Sequence, residues 1–410
     1  MTKFQPADRV LNNPPYAFAT ISKEVQRLQA EGADIIRLDI GSPDMPPAPH
    51  IIEMLHEKSA AGDTHSYAGY YGIPQLRAAM GAYYQDRFGV DLDVQHEIIP
   101  LIGSKEGIAN MHLAWLNPGD LVLVPDPGYI AYMAGPELAG AHYEAFTLTP
   151  ENNWLPDFSA IPVESAQRAR LMWLNYPNNP TGAVADLAMF EEAVAFCRKY
   201  QILLCHDNPY SDVTFDGYRA ASPLQVPGAK EVVIEFNSLS KTYNMAGWRM
   251  GMAVGNSTAV GALASVKTQI DSGHFLPIQH AAIAAIQGDQ AWLASRNAIY
   301  RERRDLVLDT LQELGIEILP PKATFYIWFP VPAGYTDLDF QRKLLHEAHI
   351  SVAPGSIYGQ AGRNWMRLSI GIATPRLKEA MGRMKEMGLE IRDWRLEIGD
   401  WRLGIRSCNL

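Results

Sequence analysis

The stretch Ser238-Leu-Ser240-Lys241-Thr-Tyr-Asn-Met-Ala-Gly-Trp-Arg249 sets two serine hydroxyls just before a lysine and an arginine eight residues after it. A lysine amine can form a Schiff base with an aldehyde. Two hydroxyls and a guanidinium can hold a phosphate dianion, the arginine through its fork of N–H donors. An aldehyde and a phosphate on one small molecule describe pyridoxal 5'-phosphate, and a cofactor of that kind narrows the chemistry. A lone lysine is ordinarily a solvated surface residue. Lys241 instead follows an apolar run, Val232–Phe236, and the string Asn237-Ser-Leu-Ser.

Other polar clusters carry weaker signals on their own. Asp207 sits in Cys205-His-Asp-Asn-Pro-Tyr210, where a carboxylate can cap a turn. Asn175-Tyr-Pro-Asn-Asn179-Pro-Thr-Gly182 has the composition of a plain turn. Gly103-Ser104-Lys105-Glu-Gly107 precedes a helical run, Ile108–Leu116, and the amides at a helix N-terminus bind phosphate without side chains. Arg367, in Trp365-Met-Arg-Leu-Ser-Ile, would form a surface ion pair in the ordinary case.

The elements around these residues alternate. Short runs that are apolar throughout, Leu121–Val124, Arg170–Leu174, Ile202–Cys205, Val232–Phe236 and Met250–Val254, are separated by helical stretches. That pattern predicts an α/β fold whose mostly parallel central sheet is covered by helices on both faces. Ligands of such sheets gather at the carboxyl ends of the strands. Asn175, Asp207 and Asn237 each directly follow an apolar run, so all three are expected in one site. Upstream, Phe18–Glu31 reads as a helix and Ile35–Ile40 as a strand, followed by a loop from Gly41. Downstream, Trp292–Leu314 reads as a long helix leading to a smaller α+β domain. Its strands are Phe325–Phe329 and Met366–Ile370, with a helix near Asp339–Ala348. The division expected is an N-terminal arm with part of the small domain (1–45), a large cofactor domain (46–290) and a small C-terminal domain (291–410).

Taken together, the lysine string, Cys205–Tyr210 and Asn175–Gly182 resemble the motifs of the class I/II aminotransferases of fold type I, over about Tyr16 to Lys385. The resemblance is finest to the LL-diaminopimelate aminotransferase branch, in Leu101–Gly107, Ser238–Arg249 and Gln269-Ile-Asp-Ser-Gly273. It implies that Lys241 holds pyridoxal 5'-phosphate and then shuttles the proton between the substrate α-carbon and the cofactor. It implies that Asp207 pairs with the pyridine nitrogen, that Tyr210 and Asn179 bond the phenolic oxygen, and that Tyr129 stacks on the ring. Ser104, Lys105, Ser238, Ser240 and Arg249 would hold the phosphate. Tyr67, in a tyrosine-rich segment with Tyr70 and Tyr71, would reach the phosphate of a neighbouring subunit, making a homodimer with shared sites. Arg367 would take the substrate α-carboxylate, with Gly41 and Asn179 assisting. The reaction implied moves an amino group between an L-amino acid and a 2-oxo acid such as 2-oxoglutarate. Aspartate, alanine and aromatic aminotransferases share much of the pattern. A carbon–sulfur β-lyase on the same scaffold would keep Lys241, Asp207 and Arg249.

The bulk numbers agree with this frame. The chain has 410 residues, beyond the roughly 250–300 at which single cores stop growing, so two domains are expected. A net charge of -10 argues against a nucleic-acid surface, and the fold is expected to start near Tyr16, leaving no room for the DNA-binding module of a transcription regulator built on this scaffold. Three cysteines, Cys197, Cys205 and Cys408, make neither a disulfide frame nor a zinc site. No apolar run has the length of a membrane span, and Met1–Pro15 lacks a signal-peptide core, so a cytoplasmic protein is expected. The tail repeats itself, Asp393-Trp-Arg-Leu-Glu-Ile being echoed by Asp400-Trp-Arg-Leu-Gly-Ile, and two copies are too few for a solenoid.

Overall fold

A computed structural model describes residues 4–11 and 17–388 of the chain; Tyr16, Cys408 and the repeated tail lie outside them. The first strand, β1 (Ile36–Arg37), stands apart from the main sheet. Seven strands follow: β2 (Ile98–Leu101), β3 (Leu121–Asp126), β4 (His142–Thr147), β5 (Ala169–Leu174), β6 (Leu203–Asp207), β7 (Val233–Ser238) and β8 (Gly251–Gly255). They form one sheet in the order β2-β8-β7-β6-β5-β3-β4. The strands from β4 to β7 pair in parallel, while β8 runs antiparallel to both β7 and β2.

Side chains alternate between faces along a strand, and here both faces are covered. Leu171 and Trp173 of β5 join one apolar cluster with Val122, Cys205 and Phe236, while Met172 and Leu174 join another with Leu123, Leu204 and Val254. This is why the central strands read as unbroken apolar runs. The edge strand β4 is largely exposed and so gives no such run. β2 is only four residues long and contains Pro100.

Because β8 is reversed, its start lies at the same sheet edge as the ends of β2, β3, β5, β6 and β7. Gly103 follows β2 there with φ of 75°, a left-handed value suited to glycine. It turns the chain into the helix Ser104–Trp115, which begins one turn earlier than the sequence suggests and carries Ser104 and Lys105 in its first turn.

The smaller sheet has β11 (Ala353–Pro354), β12 (Trp365–Ser369) and β9 (Tyr326–Pro330), antiparallel in that order. β1 pairs in parallel with β10 (Ile350–Ser351). The expected strand Ile35–Ile40 is shorter than its apolar run, yet the extended chain goes on bonding: Leu38 donates to the Ser351 carbonyl (2.8 Å) and accepts from the Ser369 amide (2.7 Å). Arg367 therefore sits mid-sheet, opposite Ala353 on one side and Trp328 on the other.

The long helix Ala291–Glu313 ties the parts together. Its buried Arg296 donates Nη1 hydrogen bonds to the carbonyls of Lys241 (2.5 Å) and Thr242 (2.6 Å), fixing the turn that carries the lysine. Arg303, two turns on, forks onto Asp44 at 2.7 and 3.0 Å and fixes the loop after Gly41. Among the described residues no helix is long and apolar enough to cross a membrane.

Candidate active site

A cavity of about 430 Å³ opens at this sheet edge, between the large sheet and the small one. Lys241, Asp207, Tyr210, Asn179, Tyr129, Ser104, Lys105, Ser238, Ser240, Arg249, Gly41 and Arg367 all line it. Tyr67 does not. It is 90% exposed on the surface, near exposed Tyr70, Tyr71 and Phe275.

Lys241 lies on the short helix Leu239–Thr242, whose Ser240 amide donates to the Ser238 hydroxyl at 3.2 Å. Its Nζ donates to the Gly41 carbonyl at 2.5 Å and stands 5.2 Å from the centre of the Phe325 ring. Burial pushes this amine down to about 7, with further lowering from the charges of Arg367 and Arg249 and an opposing pull from Asp207. Near pH 7 the amine is thus partly neutral and able to act as nucleophile or base.

Asp207 is the last residue of β6 and is buried. Its Oδ2 accepts from the Tyr132 hydroxyl at 2.7 Å, and its backbone carbonyl accepts from Asn175 at 2.6 Å. Oδ1 has no partner among the described residues. Burial raises this carboxyl to about 6, against the Tyr132 hydrogen bond. A cationic N–H brought to Oδ1 would favour the ionised form.

Ser104 and Lys105, in the first turn of the helix Ser104–Trp115, line the cavity together with Ser238, Ser240 and Arg249. Arg249, at φ 57°, donates to the Ala246 carbonyl (2.8 Å) and leans on Ser240 Oγ (3.4 Å). A Cβ on Gly103 would lie 2.1 Å from Arg249 Nη2, so the glycine is what admits the guanidinium. Burial, then the charge of Arg249, holds the Lys105 amine below its usual range. Cations gathered on helix amides form an anion site.

Across the cavity, Arg367 is 3% exposed. It donates to Asn179 Oδ1 (2.9 Å) and to the Asp39 carbonyl (2.6 Å), and its Nε has no partner among the described residues. Its charge rests against aromatic faces, 4.2 Å from the centre of the Tyr326 ring and 5.1 Å from that of Tyr358. Among the described residues no salt bridge neutralises it within 4.0 Å. A buried guanidinium in that state is set to receive a carboxylate. Tyr210 and Tyr326 share a hydroxyl–hydroxyl bond at 2.9 Å. Tyr129 lies edge-on to Tyr132, with ring centres 5.6 Å apart.

One expectation needs correction. Asn237 does not line the cavity. It alternates with Phe236 and Ser238 along β7, so its side chain faces the other side of the sheet. Arg37, Asp39, Tyr326 and Tyr358 are among the lining residues that escaped the sequence reading. Two of these left a signal, since Arg37 and Asp39 are charged residues two apart in an otherwise apolar run and must share a face. Tyr326 and Tyr358 read as core. Tyr132, behind Asp207, was also missed. It stands one helical turn after Tyr129 and stacks on Trp173 (5.0 Å, 6°), whose indole donates to His112 at 2.9 Å.

The chain matches the family model "Aminotransferase class I and II" over residues 33–384. It is 50% identical over 380 residues to an LL-diaminopimelate aminotransferase of Desulforudis audaxviator, covering 93% of this chain and 97% of that one. This chain belongs to the class I and II aminotransferases. A second LL-diaminopimelate aminotransferase, from Moorella thermoacetica, is 48% identical over 92% of this aminotransferase and 97% of its own length. Among solved structures, substrate-bound BacF from Bacillus subtilis superposes with a TM-score of 0.91 at 37% identity, covering 95% of this chain and 99% of that one. The expected α/β architecture of fold type I is therefore the observed one, and the aminotransferase reaction, between amino acids and 2-oxo acids, is the family's. Members of the family depend on pyridoxal 5'-phosphate.

Tyr132 touches this site through Asp207, to whose Oδ2 its hydroxyl donates. Its hydroxyl lowers the Asp207 pKa, so Tyr132→Phe should raise it. Activity that needs the ionised carboxylate is lost as pH falls through that value. The acid limb of the kcat/KM profile is expected to move to higher pH, with a drop of about tenfold at neutral pH, the size of a hydrogen bond to a charged group. An unmoved acid limb would make Tyr132 a packing residue only.

Proposed function

We propose that this aminotransferase uses pyridoxal 5'-phosphate to transfer an amino group between LL-diaminopimelate and 2-oxoglutarate. The observation that carries the reading is the buried Lys241 amine, its pKa lowered to about 7, in one cavity with Asp207, whose Oδ1 has no hydrogen-bond partner among the described residues, and Arg367, which forms no ion pair among them. The relatives' names supply the donor.

The residues present fit the cofactor. The free Asp207 Oδ1 suits a pyridinium N–H. The cluster of Arg249, Lys105 and helix amides beside Gly103 suits a phosphate dianion, with Ser104, Ser238 and Ser240 on the same wall. When bound, pyridoxal phosphate supplies an aldehyde for the amino group and a ring that draws electrons from the α-carbon. Asp207 would hold the ring nitrogen protonated, with the Tyr132 hydrogen bond favouring its ionised form, and Tyr210 and Asn179 would donate to the phenolic oxygen. Tyr129, on the cavity wall, would stack on the ring. Arg367, steadied by Asn179 and the Asp39 carbonyl, fixes the substrate α-carboxylate. Lys241, its amine at the centre of the cavity and with a pKa near 7, would take the proton from the substrate α-carbon and return it, as general base and acid.

The exposed patch of Tyr67, Tyr70, Tyr71 and Phe275 supports a homodimer in which Tyr67 completes the partner's phosphate site. A cytoplasmic setting and the division at residues 45 and 290 belong to the same proposal.

The test is a panel read by the half-reaction spectrum, without acceptor. LL-diaminopimelate is expected to convert the cofactor to its amine form faster, by kcat/KM, than aspartate, alanine, methionine or phenylalanine, and 2-oxoglutarate to restore it. A faster monocarboxylic donor would overturn the substrate assignment. Pyruvate and thiol released from cystathionine without acceptor would overturn the reaction type.

A further inference from the structure

Once phosphate, ring, proton transfer and α-carboxylate are assigned, two charged residues of the cavity wall remain: Arg37 and Asp39. Both come from the N-terminal segment that enters the site through β1. Arg37 forks onto Asp39, Nε to Oδ1 at 2.7 Å and Nη2 to Oδ2 at 2.7 Å, and Nη2 also reaches Ser22 Oγ at 3.3 Å. Its Nη1 donates to no described residue. The Arg37 side chain is 23% exposed and that of Asp39 is 1% exposed. The pair is therefore anchored at its acid end and open at its basic end.

Asp39 also links the two guanidinia of the cavity. Its side chain holds Arg37, and its backbone carbonyl holds Arg367. One residue thus sets the placement of both forks. The same cavity lining includes two apolar side chains, Phe18, whose ring centre is 5.6 Å from the Arg367 guanidinium, and Ile40, which is 46% exposed. Two guanidinia lining one cavity together with apolar side chains suit a flexible aliphatic chain with a carboxylate at each end.

Resting on the function proposed above and naming a determinant of its substrate class, we propose that Arg37 binds the distal carboxylate of a two-carboxylate substrate and that Asp39 is the positioning residue that aims it. A substrate with one carboxylate engages Arg367 alone. Arg37 is then what separates long dicarboxylic amino acids from alanine-like and aromatic ones in this chain.

The experiment titrates the holoenzyme with two unreactive acids, heptanedioate and heptanoate, which differ by one carboxylate. Each dissociation constant is read by calorimetry. Wild type is expected to bind the diacid at least about tenfold more tightly, the scale of one charge-assisted fork partly exposed to water. Arg37→Gln should bring the diacid to the level of the monoacid while moving heptanoate by less than twofold. Arg37→Lys, which keeps the charge without the fork, should retain part of the preference, and Asp39→Asn should reduce it with Arg37 in place. No diacid preference in wild type, or equal weakening of both acids in Arg37→Gln, would overturn the proposal. The visible absorbance of bound cofactor reports the underlying function separately. A wild type that carries that band and shows no diacid preference sinks only the Arg37 assignment, whereas a wild type that never acquires the band sinks the function reading.

Discussion

Replacing Lys241 with alanine is expected to abolish transamination, with a loss of about 10⁴-fold or more, the full contribution of a positioned acid–base group together with its covalent role. The size follows from the surroundings. The Lys241 amine is the basic group that reaches the Gly41 carbonyl at the cavity's centre, while Lys105 lies at the helix N-terminus beside Arg249. An exogenous amine such as methylamine should restore a small fraction of the rate, since the cavity emptied by the substitution can admit it. The wild-type amine carries its own signature. At about 7 its pKa sits well below the ordinary lysine range, so it is charged below that pH and neutral above. In cofactor-free protein, acylation of Lys241 by a small reagent, followed by peptide mass, should reach half its plateau rate near pH 7. A midpoint near pH 10 would mean a solvated lysine. The linked effect on folding has a definite sign: between about pH 7 and the unfolded value of about 10.4 the unfolded chain binds more protons, so cofactor-free protein gains stability as pH rises through that window.

Arg367→Ala is the second large effect. The side chain is buried, its Nε is unbonded among the described residues, and its charge meets aromatic rings and two neutral acceptors. Truncating one partner of a buried charged pair costs about 2–5 kcal/mol, or roughly 30- to 5,000-fold. The expected loss is about 10²–10³-fold in kcat/KM for every amino-acid substrate, with cofactor affinity changed by no more than a few-fold. Spectrophotometric titration with pyridoxal phosphate, run beside steady-state kinetics, separates the two. Equal loss of substrate and cofactor binding would move Arg367 to the phosphate site or to a purely structural role.

Those residues were legible because their chemistry is out of place in its setting. Asp207 ends an apolar run, Lys241 follows another, and Arg367 interrupts a third. Charged groups in segments otherwise built for burial announce a task. The central strands were legible for the matching reason, since a sheet covered on both faces needs apolar residues at every position. What stayed hidden was ambiguous by chemistry. Tyr326 and Tyr358 sit among apolar neighbours, where a tyrosine reads as core, and only tertiary structure shows them flanking Arg367. Tyr132 is invisible as a partner of Asp207 until β6 is laid near the helix Ala131–Leu138. Strand β4 was missed because an exposed edge carries no apolar run, and Asn237 was misassigned because adjacency to a run does not fix the face.

The most direct test of the lysine's role is covalent. The protein is reconstituted with pyridoxal phosphate, reduced with borohydride and mapped by peptide mass. The pyridoxyl group is expected on the peptide containing Lys241, at close to one per chain, and absent from the Lys241→Ala protein. Attachment at Lys105 or any other lysine in place of Lys241, or no attachment at all in the wild type, would contradict an active site built around Lys241.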